Sequence, residues 1–267
     1  MSRVLCPECL QSFEPAELSA LGARLLCASC LAQVRRRADL ERRPHPVPAA
    51  PPFLRARHAE ILAWCRGRWW GIRLPLLLWF ALILCRQLAS PLTAGGHGYS
   101  SFWFGLNIGI HEFGHYLFAP FGDFMHVLGG SLLQCLVPVI SMGMFWRQRD
   151  FFAIAVCFGW LGDNLFGVAR YMADARALQN PLIAPGVGLI PPGSPGHSEC
   201  HDWHVLFQRM GLLRSDLAIA AATSWAAAAC LVFCLLSGGW LLFRMARPAS
   251  TLPPPPGGWP RGSLEDD

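Results

Sequence analysis

The sequence predicts an all-α polytopic membrane protein of about four to five transmembrane or re-entrant helices, with a small cysteine-bearing module in front of them. Three observations predict it. Of the 267 residues, 53% are hydrophobic and only 15% charged, against roughly 25% charged in soluble domains, and the mean hydropathy is positive at +0.35. Apolar segments occupy 69–88, 102–121, 124–146, 151–168 and 217–243, each near or above the ~20 residues that a tilted spanning helix needs. The first four cysteines fall in two closely spaced pairs, which marks off a separate unit.

That unit, 1–40, carries Cys6-Pro-Glu-Cys9 and Cys27-Ala-Ser-Cys30, a CxxC-x17-CxxC spacing. Each CxxC forms a tight knuckle presenting two thiolates, and two knuckles complete a tetrahedron around Zn²⁺. So short a module buries little apolar surface, so metal binding supplies most of its folding free energy. The expectation is a zinc ribbon in which Cys6, Cys9, Cys27 and Cys30 close a structural site. A redox dithiol would call for a thioredoxin-like βαβ context, which the sequence lacks. Cys85, Cys135, Cys157, Cys230 and Cys234 stand singly in apolar runs, as small packing residues.

Residues 41–68 read as a basic, proline-rich linker and a juxtamembrane helix. Arg35, Arg36, Arg37, Arg42 and Arg43 precede a stiff stretch over 44–52 that leans toward polyproline geometry. From 53 to 70 the chain turns basic and aromatic, with Arg55, Arg57, Trp64, Arg66, Arg68, Trp69 and Trp70. This suits a helix lying against anionic headgroups with tryptophan at the interface. Contact with a membrane surface accounts for the arginine run as well as nucleic acid would, and no nucleic-acid partner is expected. The membrane domain covers 69–246, its first segment being short unless Arg73 and Arg86 snorkel to the two surfaces. The proline-rich tail, 247–267, is expected to be disordered. The N-terminus lacks a short apolar core with a cleavage site, so no secretory signal peptide is expected.

The arginine-rich first third belongs on the cytosolic side. Five crossings would place Arg147, Arg149, Arg244 and Arg247 on the other side, against the rule. Four crossings, with one of the two segments between 102 and 146 re-entrant, would place all of them inside. At the level of sequence both arrangements stay open.

The second apolar segment contains Ile110-His111-Glu112-Phe113-Gly114-His115-Tyr116. On a helix, positions i and i+4 share a face, so His111 and His115 can hold one metal ion together. Glu112 then stands beside the metal, where it can take a proton from a bound water and pass it to a leaving group. A chance HExxH is expected in about one sequence of this length in a hundred. A glutamate and two histidines in an apolar helix also cost several kcal/mol unless paired or bound. The competing explanation is a metal-free hydrogen-bond cluster between helices.

Two histidines need a third protein ligand, with one position left open for water. The candidates lie toward the C-terminus: Asp174 and His201 first, then Asp163, then His204. Asp163 and Asp174 would share a face of a continuous helix, being eleven residues apart. The competing reading pairs Asp174 with Arg170, and His201 with Asp202 to organise a loop. Gly129 and Gly130 allow close approach of a helix or a substrate, and Gln134 is a polar group placed to hold a peptide carbonyl.

His111-Glu112-Phe113-Gly114-His115 in an apolar segment resembles the intramembrane zinc metalloproteases of the site-2 protease type. The residues that follow look similar to a group of bacterial membrane proteins: Pro120-Phe121-Gly122, Gly129-Gly130, Gln134, Trp160 to Asn164, Tyr171 to Arg176 and His201-Asp202-Trp203. This wider resemblance spans about 102–213. It implies a second Zn²⁺ held by His111 and His115, with Glu112 as catalytic base and a membrane or juxtamembrane peptide as substrate. The third ligand of those proteases is an aspartate in an Asn/Pro-rich stretch ending Leu-Asp-Gly, and this chain has no such stretch. The resemblance, with the lack of a signal peptide, implies a prokaryotic cytoplasmic membrane with the N-terminus in the cytosol. A non-proteolytic zinc-binding sensor or scaffold is the alternative reading.

Overall fold

The computed structural model describes residues 3–22, 24–42, 53–90, 92, 103–184 and 188–253. The chain divides into two units, Met1–Pro52 and Phe53–Asp267. Arg43, the 44–52 stretch and the tail from 254 onward lie outside the described residues.

In the first unit, β1 (Val4–Leu5) pairs antiparallel with β2 (Ser12–Phe13), and β3 (Leu18–Leu21) with β4 (Arg24–Cys27). Helix α1 (Ala28–Arg42) follows. The first CxxC occupies the turn between β1 and β2, and the second straddles the end of β4 and the first turn of α1. The core is small: Cys6, Leu18, Leu26, Cys27 and Cys30. Three of its five members are cysteines, so hydrophobic burial alone gives this unit little stability.

The second unit is helical: α2 (Phe53–Cys65), α3 (Leu74–Ala89), α4 (Phe104–Phe118), α5 (Asp123–Gln148), α6 (Phe151–Ala173), α7 (Asp202–Met210) and α8 (Asp216–Met245). A short hairpin of β5 (Leu182–Ala184) and β6 (Gly188–Ile190) lies between α6 and α7. The helices of four stretches, α3, α5, α6 and α8, are long and apolar enough to cross a membrane. Helix α4 is not among them. Its 15 residues rise about 22 Å, short of the ~30 Å hydrocarbon core. A tight turn with Pro120 at its centre, then Gly122 at φ 97°, ends the segment early.

Side-chain pairings give the helix directions. His115 meets His126, and Gly114 meets Gly129, while Gly105 and Val137 line one groove, so α4 and α5 run antiparallel. Gly162 faces Ala227 and Arg176 pairs with Asp216, so α6 and α8 are antiparallel too. Phe80 lies on Gly159 and Gln87 accepts from Arg170, so α3 runs parallel to α6. The bundle therefore has two ends. One gathers the starts of α3 and α6 with the finishes of α5 and α8. The opposite end gathers the reverse set, with the finish of α4 and all of α7.

Small residues set the spacing inside the bundle. A Cβ on Gly159 would come within 2.7 Å of the Phe80 ring, and one on Gly162 within 2.8 Å of the Ala227 carbonyl oxygen. Where lipid tails are as apolar as leucine, such close packing is what drives helix association. Phe80, Leu231 and Cys234 are fully buried at this contact of α3, α6 and α8. Helix α2 is tied to the bundle by Trp64, edge-on to Phe151 at 5.6 Å, and by the Glu60–Arg149 ion pair at 3.0 Å.

Candidate metal centre

Helices α4 and α5 cross at Gly114 and Gly129. A Cβ on Gly114 would collide with the Gly129 carbonyl, and one on Gly129 would lie 2.5 Å from the Gly114 oxygen. This closeness carries His111 and His115 onto the first turns of α5. From the other side α7 is anchored by Trp203, whose indole N–H donates to Ser131 Oγ at 3.1 Å. The Asp202 backbone N–H donates to the Tyr171 hydroxyl oxygen at 3.0 Å. Asp202 Oδ2 is thereby placed 2.9 Å from His111 Nε2 and 3.4 Å from His115 Nε2.

The partners behind the histidines fix their protons. His111 Nδ1 lies 3.2 Å from Gln134 Oε1, and His115 Nδ1 lies 2.8 Å from the His126 carbonyl oxygen. Both partners only accept, so each Nδ1 carries a hydrogen and donates it. In the neutral ring, each Nε2 then directs a lone pair at a carboxylate oxygen. Three acceptors converging on one point repel unless a cation lies between them. Zn–N and Zn–O bonds near 2.0–2.1 Å in a tetrahedron separate neighbouring donors by roughly 3.3 Å, and the two distances observed lie on either side of that value. The residues fit a zinc ion, and backbone or amide carbonyls orient both imidazoles as they do in metal sites generally.

Gly130 keeps the centre open. A Cβ there would lie 2.6 Å from both His111 Nε2 and His115 Nε2. As a metal ligand Asp202 would have to be the carboxylate anion. Its position in the first turn of α7 favours the anion. Glu112 sits next to His111 on α4, half-buried, and its carboxylate makes no hydrogen bond among the described residues.

A second line of contacts steadies His111. Pro138 lacks an N–H, so the Gln134 carbonyl one turn earlier in α5 loses its helical partner. Asn164 of α6 supplies one: its Nδ2 donates to that carbonyl at 2.6 Å, while Gln134 Nε2 donates to Asn164 Oδ1 at 3.4 Å. The Gln134 side chain is thus held from α6 and directs its own oxygen at His111 rather than at a peptide. Replacing Gln134 with leucine is expected to weaken zinc binding about 10–100-fold with the fold retained. Competition against a chromophoric chelator measures it.

Asp174 and His201 are not brought to the histidine pair. Asp174 caps the end of α6, accepting from the backbone N–H groups of Gln179 and Asn180 at 2.9 and 3.0 Å. His201 is fully buried; its Nδ1 accepts from the His204 N–H at 3.1 Å, and its Nε2 lies 3.5 Å from Asp174 Oδ2. His204 Nδ1 lies 2.7 Å from the Ala175 carbonyl oxygen. These contacts order the connection between α6 and α7. Asp163 is fully buried within α6 and outside the metal-type groups formed by the described residues. Arg170, a possible partner of Asp174 in the sequence, bonds Gln87. The sequence placed Asp202 only as a loop partner of His201 and ranked His201 as the ligand. In the structure His201 is turned inward as the cap of α7, and the next residue points at the Nε2 atoms of His111 and His115. The signal that would have found it is an acid in the first turn of a helix beginning His201-Asp202-Trp203.

The ribbon holds the other group of metal-type donors among the described residues, Cys6, Cys9, Cys27 and Cys30. Cys9 Sγ and Cys27 Sγ are 3.8 Å apart, and Zn–S bonds near 2.3 Å in a tetrahedron give about 3.8 Å. The backbone N–H of Cys27 brings the Cys6 thiol down to about 6, while the facing Cys27 sulfur pushes Cys30 up to about 12. The four thiols do not all ionise at neutral pH without a cation among them, and the group could bind a metal.

The chain matches no protein-family model, no curated protein and no solved structure. His111, His115 and Asp202 thus form a candidate metal site, read from its own geometry, in a protein with four candidate membrane helices.

Proposed function

We propose that the helical unit is a zinc hydrolase that cleaves a membrane-embedded or juxtamembrane peptide. The observation that carries this reading is the convergence of His111 Nε2, His115 Nε2 and Asp202 Oδ2 beside Glu112, an acid that makes no hydrogen bond among the described residues. Three protein ligands leave a position for water or substrate, which is the catalytic pattern, whereas the four thiolates of the ribbon form a closed one. Zinc held by these three residues supplies Lewis-acid polarisation of the scissile carbonyl and brings the pKa of a water toward neutrality. Glu112 takes that water's proton and hands it to the leaving amine. Gln134 and the His126 carbonyl hold the Nδ1 protons, so both Nε2 lone pairs stay committed to the metal. Substrate enters as an extended or unwound segment, since a helix shields its carbonyls in its own hydrogen bonds. The resemblance to intramembrane metalloproteases supports the reading and the assignment to a prokaryotic cytoplasmic membrane.

The Glu112→Gln variant tests it. Zinc content is expected to stay at the wild-type level while hydrolysis of detergent-solubilised transmembrane peptides falls at least about 100-fold. No hydrolysis by the zinc-loaded wild type would leave a metal-binding scaffold as the reading, and equal hydrolysis by variant and wild type would remove Glu112 as the base.

A further inference from the structure

We infer that the metal site opens on the face of the membrane opposite the cytosol. The antiparallel pairings give the bundle two chemically unequal ends. Arg66, Arg68 and Arg73 precede α3, Arg147 and Arg149 close α5, and Arg244 and Arg247 close α8. All seven lie at one end. Arg57 of α2 joins them there, its guanidinium 5.4 Å from the Trp146 ring. Acids at this end are few: Glu60, paired with Arg57 and Arg149, and Asp150, which caps α6.

The opposite end is balanced. Arg86, Arg170, Arg176, Arg209 and Arg214 are met there by Glu112, Asp123, Asp174, Glu199, Asp202 and Asp216. Arg176 is spent on Asp216 at 2.8 Å, and Arg170 on Gln87. Arginine near helix ends is retained on the cytosolic side during insertion, so the arginine-rich end is cytosolic. Four crossings also return every one of those seven arginines to that side, which five would not.

The metal site belongs to the other end. Asp202 stands on α7, within the connection between the finish of α6 and the start of α8. Gly130 is seven residues into α5 from its start at Asp123, about 10 Å along a helix, so the site lies in the non-cytosolic half of the bilayer. Half-exposed Glu112 and exposed Tyr116 border it on α4. The hydrolase would therefore take an extracytoplasmic peptide segment and acquire its metal from that compartment. This last clause rests on the proposed hydrolase activity; the orientation does not.

Cys200, exposed and two residues before Asp202, is a native reporter. The full chain is compared in sealed right-side-out and inside-out vesicles with a membrane-impermeant maleimide. In a Cys85→Ser background, which removes the other exposed thiol near this end, the chain is expected to label in right-side-out vesicles and Cys200→Ser to lose that label. In the Cys200→Ser background, Glu199→Cys is expected to restore it, whereas Ser250→Cys, beyond α8, labels only in inside-out vesicles. The reverse pattern, or labelling of Glu199→Cys from both sides, overturns the orientation. Repeating the labelling on His111→Ala/His115→Ala separates the two ideas: an unchanged pattern in a variant lacking the helical unit's metal upholds the orientation even where the hydrolase reading fails.

Discussion

A Gly130→Ala variant is expected to lose zinc from the helical unit while keeping its helices. The added Cβ would sit 2.6 Å from both His111 Nε2 and His115 Nε2, well inside any carbon–nitrogen contact. Neither ring has an easy retreat, because Gln134 and the His126 carbonyl hold the Nδ1 sides. The methyl therefore displaces the metal or forces the donors apart. The loss of affinity should exceed the roughly 10–100-fold that follows from removing an outer hydrogen bond. Helix content should rise slightly if anything, since alanine is a better helix former by about 1 kcal/mol. Gly143→Ala on the same helix, where a Cβ meets nothing within 4 Å, should leave the metal untouched. Gly129→Ala should behave differently again, straining the α4–α5 crossing by about 1–3 kcal/mol. Metal content and thermal unfolding measured together on the three variants distinguish an obstructed site from a damaged bundle.

Stripping zinc from the ribbon is expected to unfold the first unit and leave the helical one standing. Its core has two leucines beside three cysteines, and structural zinc in small modules contributes on the order of 10–16 kcal/mol at neutral pH. Hydrogen exchange on 3–42 should go from protected to unprotected on adding a strong chelator, with α6 and α8 unchanged. Cys30→Ser should produce the same loss without chelator, because Cys30 is one of the buried sulfurs of the group. Cys85→Ser, on the exposed side of α3, should have no effect. Continued protection of the first unit without zinc would remove the structural role of the metal there.

What the sequence showed depended on whether a signal was local. The CxxC pairs and the HExxH turn are local, so their donor groups were legible from spacing alone. The apolar segments at 69–88, 124–146, 151–168 and 217–243 correspond to α3, α5, α6 and α8, because length and composition decide a spanning helix. The 102–121 segment was as apolar but shorter in helix, since Pro120 and Gly122 act at its end. The third metal donor was a matter of tertiary geometry. Asp202 lies 91 residues from His111, and only the anchoring of α7 through Trp203 and Tyr171 directs it there. Asp174 and His201 carried the right chemistry, but their own neighbours use it: backbone N–H groups at the end of α6, and the cap of α7. The link from Pro138 through Gln134 and Asn164 to His111 was equally out of reach, since it exists only once α5 and α6 pack.

Zinc content by mass spectrometry on purified full-length protein is the most direct test of the centre, comparing the wild type with Asp202→Ala and Asp174→Ala. The wild type is expected to carry two zinc ions, one for each donor group. Asp202→Ala should fall to one, and Asp174→Ala should stay at two, with lower stability because the connection after α6 is loosened. One zinc in all three proteins, or loss of zinc from Asp174→Ala with Asp202→Ala unaffected, would contradict the centre formed by His111, His115 and Asp202.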